Sequence, residues 1–323
     1  MDQFPTQHSR FETLMRFRVR EVLLVSSPYD HFTLEEDGRI NETILLEYKQ
    51  LSLSSAPRIT HVTTAEEALQ ELRERHYDLV ITMSRVGEML VHVFGNKAKE
   101  IQEDIPVVLL AYNTRELALF KKSQGIDLVF VWSGNSQIFL AIIKIIEDLR
   151  NVEEDTATSD VPVILLAEDS RRFYSLFLPQ LYQELMKQTG SLAGEGLSLH
   201  HKVLRRRARA KILLATDMEQ AQHFYKQYSK HIIGLITDAG YPWKGEHNPN
   251  AGSELIKLVQ KDNNDIPIIM QSSLPENRKI AKKLNADFLD KSDSGLLKGI
   301  RAFMREKMGF GDFVFRDSDG NEV

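Results

Sequence analysis

The sequence predicts an α/β protein of two doubly wound domains, each built on a five-stranded parallel sheet. Two observations predict it. Apolar runs of strand length alternate with helix-length patterns along the chain, the arrangement of parallel strands joined by crossover helices. The alternation then restarts. VREVLLVSS has a counterpart in VPVILLAED, DLVITMS in GLITDAG, IPVVLLAYNTRELA in IPIIMQSSLPENRKIA, and GIDLVFVWSGNSQ in NADFLDKSDSG. A repeat this long implies two copies of one fold.

Residues 1–18 are polar with scattered aromatics and read as a flexible or docking arm. In the first domain, 19–150, the strand VREVLLVSS is followed by a polar, turn-rich stretch from Pro28 to Arg39 and a helix in NETILLEYKQL. APRITHVTT is a strand, AEEALQELRERH an amphipathic helix with Thr64 as its cap, and YDLVITMS, IPVVLLAY and LVFVWSG are strands. NSQIFLAIIKIIEDLR closes the domain. Its stretch from Phe139 to Ile146 is too apolar on one face for water and calls for the other domain or a second subunit, a homodimer being one arrangement that supplies it.

Residues 151–160, NVEEDTATSD, are acidic and aperiodic and read as the linker. The second domain, 161–308, has strands in VPVILLAEDS, ARAKILLATD, IIGLITDAG, IPIIMQSS and ADFLDK. Its helices lie in RRFYSLFLPQLYQELMKQ, MEQAQHFYKQYSK, SELIKLVQK, PENRKIAKKL and SGLLKGIRAFMREKM. An insertion at 190–209 starts Gly-rich, as a loop, and ends in the basic run VLRRRARAK. Without interleaved aromatics that run reads as a solvated surface excursion ahead of a phosphate or nucleic-acid site.

Composition narrows the chemistry. The 323 residues carry 41 Lys plus Arg against 46 Asp plus Glu, a net charge of −5 that gives no general attraction to nucleic acid or an anionic membrane. Cysteine is absent, which removes disulfides, thiolate nucleophiles and Cys-ligated metals. MDQFPTQHSRFETLMRF has no apolar core of a signal peptide and no run reaches membrane-spanning length, so a cytoplasmic location is expected. P-loop, GxGxxG, HExxH and GxSxG patterns are all missing, and no independent enzyme is expected.

The strand ends of the second domain hold the informative residues. Strand one finishes on Glu168 and Asp169, strand three on Asp238, strand four on Ser272 and Ser273, strand five on Lys291. In a parallel sheet these share one edge, where ligands bind. An acid at a strand end is, taken alone, more often a turn or cap residue. Three carboxylates together repel one another, and a hard divalent cation with oxygen ligands relieves that repulsion, which predicts a Mg²⁺ site. A lysine there suits phosphoryl oxygens, a serine hydroxyl is a short neutral donor, and a carboxylate can be the nucleophile.

By these residues, 161–308 resembles a response-regulator receiver domain, the CheY-like family of flavodoxin-like fold. The resemblance implies that Asp238 accepts a phosphoryl group from a histidine kinase, a phosphotransfer protein or a small donor. It further implies that Asp169, Asp238 and the Gly240 carbonyl hold Mg²⁺ with Glu168 acting through water, that Ser272 and Lys291 engage the phosphoryl oxygens, and that Phe288 is a rotating aromatic switch. Two features depart from the pattern: Ser292 stands where the family usually has proline, and the loop AGYPWKGEHNPNAG is longer than usual. With Trp243 and His247 in it, that loop is expected to restrict access to the site; His247 reads as an exposed histidine ahead of a metal ligand.

The first copy carries Ser26, Ser27, Met83, Ala111 and Trp132 at the matching positions, so it reads as a pseudo-receiver kept for contacts. The tail, 309–323, alternates Phe310, Phe313 and Phe315 and ends as if cut from a longer protein with a C-terminal output domain. Tail and domain order resemble the N-terminal regulatory part of phosphoenolpyruvate synthase or pyruvate phosphate dikinase-like proteins. The expected function is a two-component signalling module; the alternative is an interaction module with a vestigial acidic site in such a larger protein. A nucleic-acid role for the basic insertion ranks last, and no membrane partner is expected.

Overall fold

The computed structural model describes residues 14–38, 40–50, 56–112, 125–192 and 209–310. They divide into two compact units: Met15–Asn151 with Arg171–Pro179, and Val152–Ser170 with the described residues from Gln180 on.

The first unit runs β1 (Glu21–Val25), α1 (Pro28–Gly38), α2 (Ile40–Gln50), β2 (Arg58–Val62), α3 (Ala65–Glu74), β3 (Leu79–Met83), α4 (Val91–Ile101), β4 (Val107–Ala111), β5 (Leu128–Val131) and the start of α5 (Gln137–Ser159). Its strands are parallel in the order β2-β1-β3-β4-β5. Strands β3 and β4 are buried at every residue, which is why they read as unbroken apolar runs: both faces of a parallel sheet are covered. Leu23, Val25, Leu69, Leu72 and Phe94 pack into one core, each contributing about 1.5–3 kcal/mol of apolar burial. Thr64 caps α3 in a reciprocal box: Glu67 N donates to Thr64 Oγ1 at 3.2 Å and Thr64 N to Glu67 Oε2 at 3.2 Å. The edge strand β5 is closed by side chains, Val131 N donating to Ser175 Oγ at 2.9 Å and the Tyr174 hydroxyl to the Val129 carbonyl.

The second unit continues with β6 (Val163–Ala167), α6 (Arg171–Leu192, whose first turns belong to the first unit), β7 (Lys211–Ala215), α7 (Met218–Tyr228), β8 (Ile232–Asp238), β9 (Tyr241–Trp243), β10 (Glu246–Asn248), α8 (Ala251–Asp262), β11 (Ile268–Ser272), α9 (Asn277–Lys283), β12 (Asp287–Asp290) and α10 (Leu296–Glu306). The order β12-β11-β8-β6-β7 is again parallel and, counted within the unit, is the same as in the first. Both units are therefore flavodoxin-like doubly wound domains, with a crevice expected at the carboxyl ends of the strands where the order reverses.

Several expectations need correction. The stretch from Pro28 is helical to Gly38. A helix that periodicity did not single out, α4, joins β3 to β4; its buried stripe of Val91, Phe94, Gly95 and Ala98 is half small residues, a weak apolar signal. The supposed linker is helical to Ser159. Its buried face is mostly polar, Asn151, Asp155 and Thr156 beside a single valine, Val152, with Asp155 Oδ2 2.6 Å from Lys211 Nζ, so apolar periodicity could not reveal it. The end of the supposed arm is also held: Phe17 N donates to Asn151 Oδ1 at 2.9 Å, and Asn151 Nδ2 to the Phe17 carbonyl at 2.8 Å. Gly190 to Leu192, read as the start of the inserted loop, complete α6. The basic remainder of the insertion at 193–208, the arm at 1–13 and the tail at 311–323 lie outside the described residues. Among the described residues no helix is long and apolar enough to cross a membrane.

Candidate functional site

Register builds the site. Ala167 pairs with Thr237, Gln271 with Asp238 and Ser272 with Asp290, so Glu168, Asp238, Ser272 and Lys291 follow one another across adjacent strand ends. Lys291 is the hub, its Nζ 2.6 Å from Asp238 Oδ2 and 2.6 Å from Glu168 Oε2. One ammonium thus bridges two carboxylates. Glu168 is fully buried, with Ser170 N donating to its Oε1 at 3.0 Å and Gln271 Nε2 to its Oε2 at 3.0 Å. Asp238 is half-buried, and Ala239 N donates to its Oδ1 at 2.6 Å. Asp169 stands beside them, half-buried; one oxygen each from Glu168, Asp169 and Asp238 fall within 4.8 Å of one another.

The electrostatics follow from this crowding. Burial pushes the Glu168 carboxyl up, to about 8, against the pull of the Lys291 ammonium and with the Asp238 charge adding to the rise. Asp169 also moves up, through burial first and the Asp238 charge second. A cation among these oxygens would reverse both effects. The donor set is all oxygen, which suits Mg²⁺ among biological metals. A buried amide oxygen, Gln271 Oε1, adjoins the cluster with no donor among the described residues.

Of the other residues singled out, Ser272 is buried at the end of β11 and its Oγ accepts from Leu274 N at 3.1 Å and Asn277 Nδ2 at 2.8 Å. Both contacts use the oxygen, leaving the hydroxyl proton to donate. Gly240 lies where the chain leaves β8; a Cβ there would stand 2.9 Å from Pro249 Cα and 3.1 Å from the Asn248 carbonyl, so the close approach demands glycine. At Gly252 a Cβ would run into the Asp238 carbonyl, which lets α8 start directly against the site. Phe288 is half-buried in the edge strand β12, with the Arg278 guanidinium 4.9 Å from its ring centre. Ser292, next to Lys291, donates its N–H to Asp290 Oδ1 at 2.8 Å.

The long loop after Asp238 is a hairpin, β9 against β10, turned by Lys244 and Gly245 at φ 56° and 84°. His247 is exposed, as expected, and its positive potential opposes the rise at Asp169. Sequence reasoning missed Gln271, Asn277 and Tyr241. Gln271 carried a signal, a polar residue inside the apolar strand IIMQS. Tyr241 is wholly buried, and its phenol is pushed up by burial, with Asp238 and Asp169 adding.

At the matching edge of the first sheet, Ser26 is buried with its Oγ 3.0 Å from His61 Nε2, and Ser27 Oγ donates to Asp30 Oδ2 at 2.8 Å. Met83 and Ala111 are buried, and Trp132 packs edge-on against Phe139 with ring centres 5.8 Å apart.

No protein-family model matches the chain, and a search of curated proteins finds no match. Solved structures that align with the chain include a CheY-like response regulator receiver domain from Methylobacillus flagellatus, over 40% of this chain and 98% of its own at 13% identity and a TM-score of 0.31. A two-component response regulator from Clostridium difficile aligns over 41% and 98% at 20% identity and 0.31. A putative two-component system response regulator/GGDEF domain protein aligns over 88% and 98% at 15% identity and 0.34. Likenesses this distant transfer no function.

Proposed function

We propose that the second domain is a phosphoryl-accepting signalling module with Asp238 as the acceptor, and that the first domain serves contacts without being phosphorylated. The observation that carries this is Lys291 Nζ, 2.6 Å from Asp238 Oδ2, beside two further carboxylates on the same sheet edge. Asp169 and Asp238 would hold Mg²⁺ together with the Gly240 carbonyl, and Glu168 would act through water. When bound, the cation offsets the charge of the carboxylates and of the incoming phosphoryl oxygens. In the transfer, a carboxylate oxygen of Asp238 bonds to phosphorus as the P–N bond of a phosphohistidine donor, or the P–O bond of an acyl phosphate, breaks. The electron pair leaves with the donor, as imidazole protonated on its other nitrogen or as free carboxylate. Lys291 neutralises charge on the transferred group, and the Ser272 hydroxyl proton is available to it. Phe288, three residues before Lys291 on the edge strand, is the side chain through which a shift of the β11 and β12 loops would reach a partner. A histidine kinase or phosphotransfer protein is the donor class this chemistry fits.

The test is hydroxylamine-sensitive phosphate incorporation from acetyl phosphate with Mg²⁺. Wild-type protein is expected to label and Asp238→Asn not to; equal labelling of both sinks the assignment. One observation favours a second reading: Lys291 already neutralises Glu168 and Asp238, as a purely structural ion triad would. Under that reading Mg²⁺ does not bind, and beryllofluoride leaves the fold and oligomeric state unchanged.

A further inference from the structure

We propose that Gln271 is a positioning residue of the cation site, holding Glu168 through its amide N–H and offering its buried carbonyl oxygen to a water in the cation's shell. The inference rests on the reading of Glu168, Asp169 and Asp238 as a cation site. Gln271 lies in β11 directly opposite Asp238 in β8, and its own carbonyl accepts from Ala239 N at 3.0 Å, so its backbone is locked to the acceptor residue. The side chain is wholly buried, between Met270, also wholly buried, and the strand end at Ser272. A glutamine in that setting needs both ends of its amide satisfied. Glu168 Oε2 already takes the Lys291 ammonium at 2.6 Å and so accepts, which puts the amide nitrogen toward it at 3.0 Å and leaves Oε1 over. That oxygen is buried, and no described residue donates to it.

Both amide atoms are attached to one carbon, so the unpartnered oxygen lies beside the acidic cluster and not in a remote part of the core. Access is graded across the cluster: the Glu168 side chain has no exposed surface, that of Lys291 3%, and that of Asp238 15%. Asp238 and Asp169 therefore face the open side, while Glu168 and Gln271 form the floor. Mg²⁺ sheds its waters reluctantly and keeps several when bound by one or two carboxylates. Each such water has two O–H donors. Glu168 can take one and Gln271 Oε1 another, so the missing donor arrives with the hydrated cation. Outer groups of this kind orient the inner ligands, and losing one typically weakens metal binding by about 10- to 100-fold.

The experiment measures Mg²⁺ and Mn²⁺ binding calorimetrically on the full chain for wild type, Gln271→Met and Gln271→Leu, with melting followed in chelator and in saturating Mg²⁺. The expected result is a Kd about 10- to 100-fold weaker in both variants and a smaller Mg²⁺-induced rise in Tm than in wild type. A purely structural glutamine would lower Tm equally with and without Mg²⁺ and leave Kd alone, and that result overturns the proposal. Should Gln271→Leu fail to fold, the unbranched Gln271→Met carries the same comparison. If wild-type protein binds neither cation, the reading of the site itself fails, an outcome distinct from wild-type affinity in the variants.

Discussion

Glu168 shows how one buried side chain concentrates the physics of this site. Its carboxyl has no exposed surface and shares Lys291 with Asp238. Burial lifts it from the ordinary 4.5 to about 8, so between those values the folded protein holds a proton that the unfolded chain has released. Stability of the metal-free protein therefore falls as pH rises through that window, at up to about 1.4 kcal/mol per pH unit. Asp169, also raised, acts with the same sign. Urea unfolding in chelator at several pH values is expected to show this decline in wild type and a flatter profile in Glu168→Gln; an unaltered slope in the variant would place the proton elsewhere. The acids, Ser272 and Lys291 were legible in the sequence because each ends an apolar run. Gln271 showed only as a polar residue inside an apolar strand; its partner, 103 residues distant, was not legible.

The C-terminal part of α5 and the start of β7 teach the same lesson about elements. Lys211 and Asp155 are 0% and 1% exposed at the side chain and lie 2.6 Å apart, a pair that fixes the polar end of the helix within the second unit. Removing one partner leaves an uncompensated buried charge, typically about 3–5 kcal/mol, whereas an apolar pair of similar volume is often neutral. Lys211→Met is thus expected to lose stability on that order and the double variant Lys211→Met/Asp155→Leu to recover most of it, checked by a denaturant double-mutant cycle. Loss in the double variant equal to that in the single would show that the uncompensated Asp155 charge is not what destabilises the single variant. The hairpin β9–β10 belongs here too: a Lys-Gly turn flanked by three-residue strands is too short for alternation to mark it.

Across the whole chain, two sheets of identical strand order carry opposite chemistry at their carboxyl edges. The first presents Ser26, Met83, Ala111 and Trp132, all buried; the second presents a lysine bridging two acids, with a third beside them. Saturating acetyl phosphate is accordingly expected to add one phosphoryl group per chain, read as a single mass increment on the intact protein. A second increment surviving in Asp238→Asn would show that the first domain accepts phosphate as well.

The doubled α/β pattern, the parallel strands and the acids at their ends could be read from residue order, because strand and helix periods and strand termini are local properties of the chain. The pairing of charges could not. Lys291 between Glu168 and Asp238, Lys211 against Asp155 and Gln271 beneath Glu168 join residues far apart in sequence, and their burial depends on which faces the fold covers. For the same reason a stretch that looked like an acidic linker is a helix: its buried face is mostly polar, and a partner from a strand, Lys211, makes the burial of Asp155 favourable.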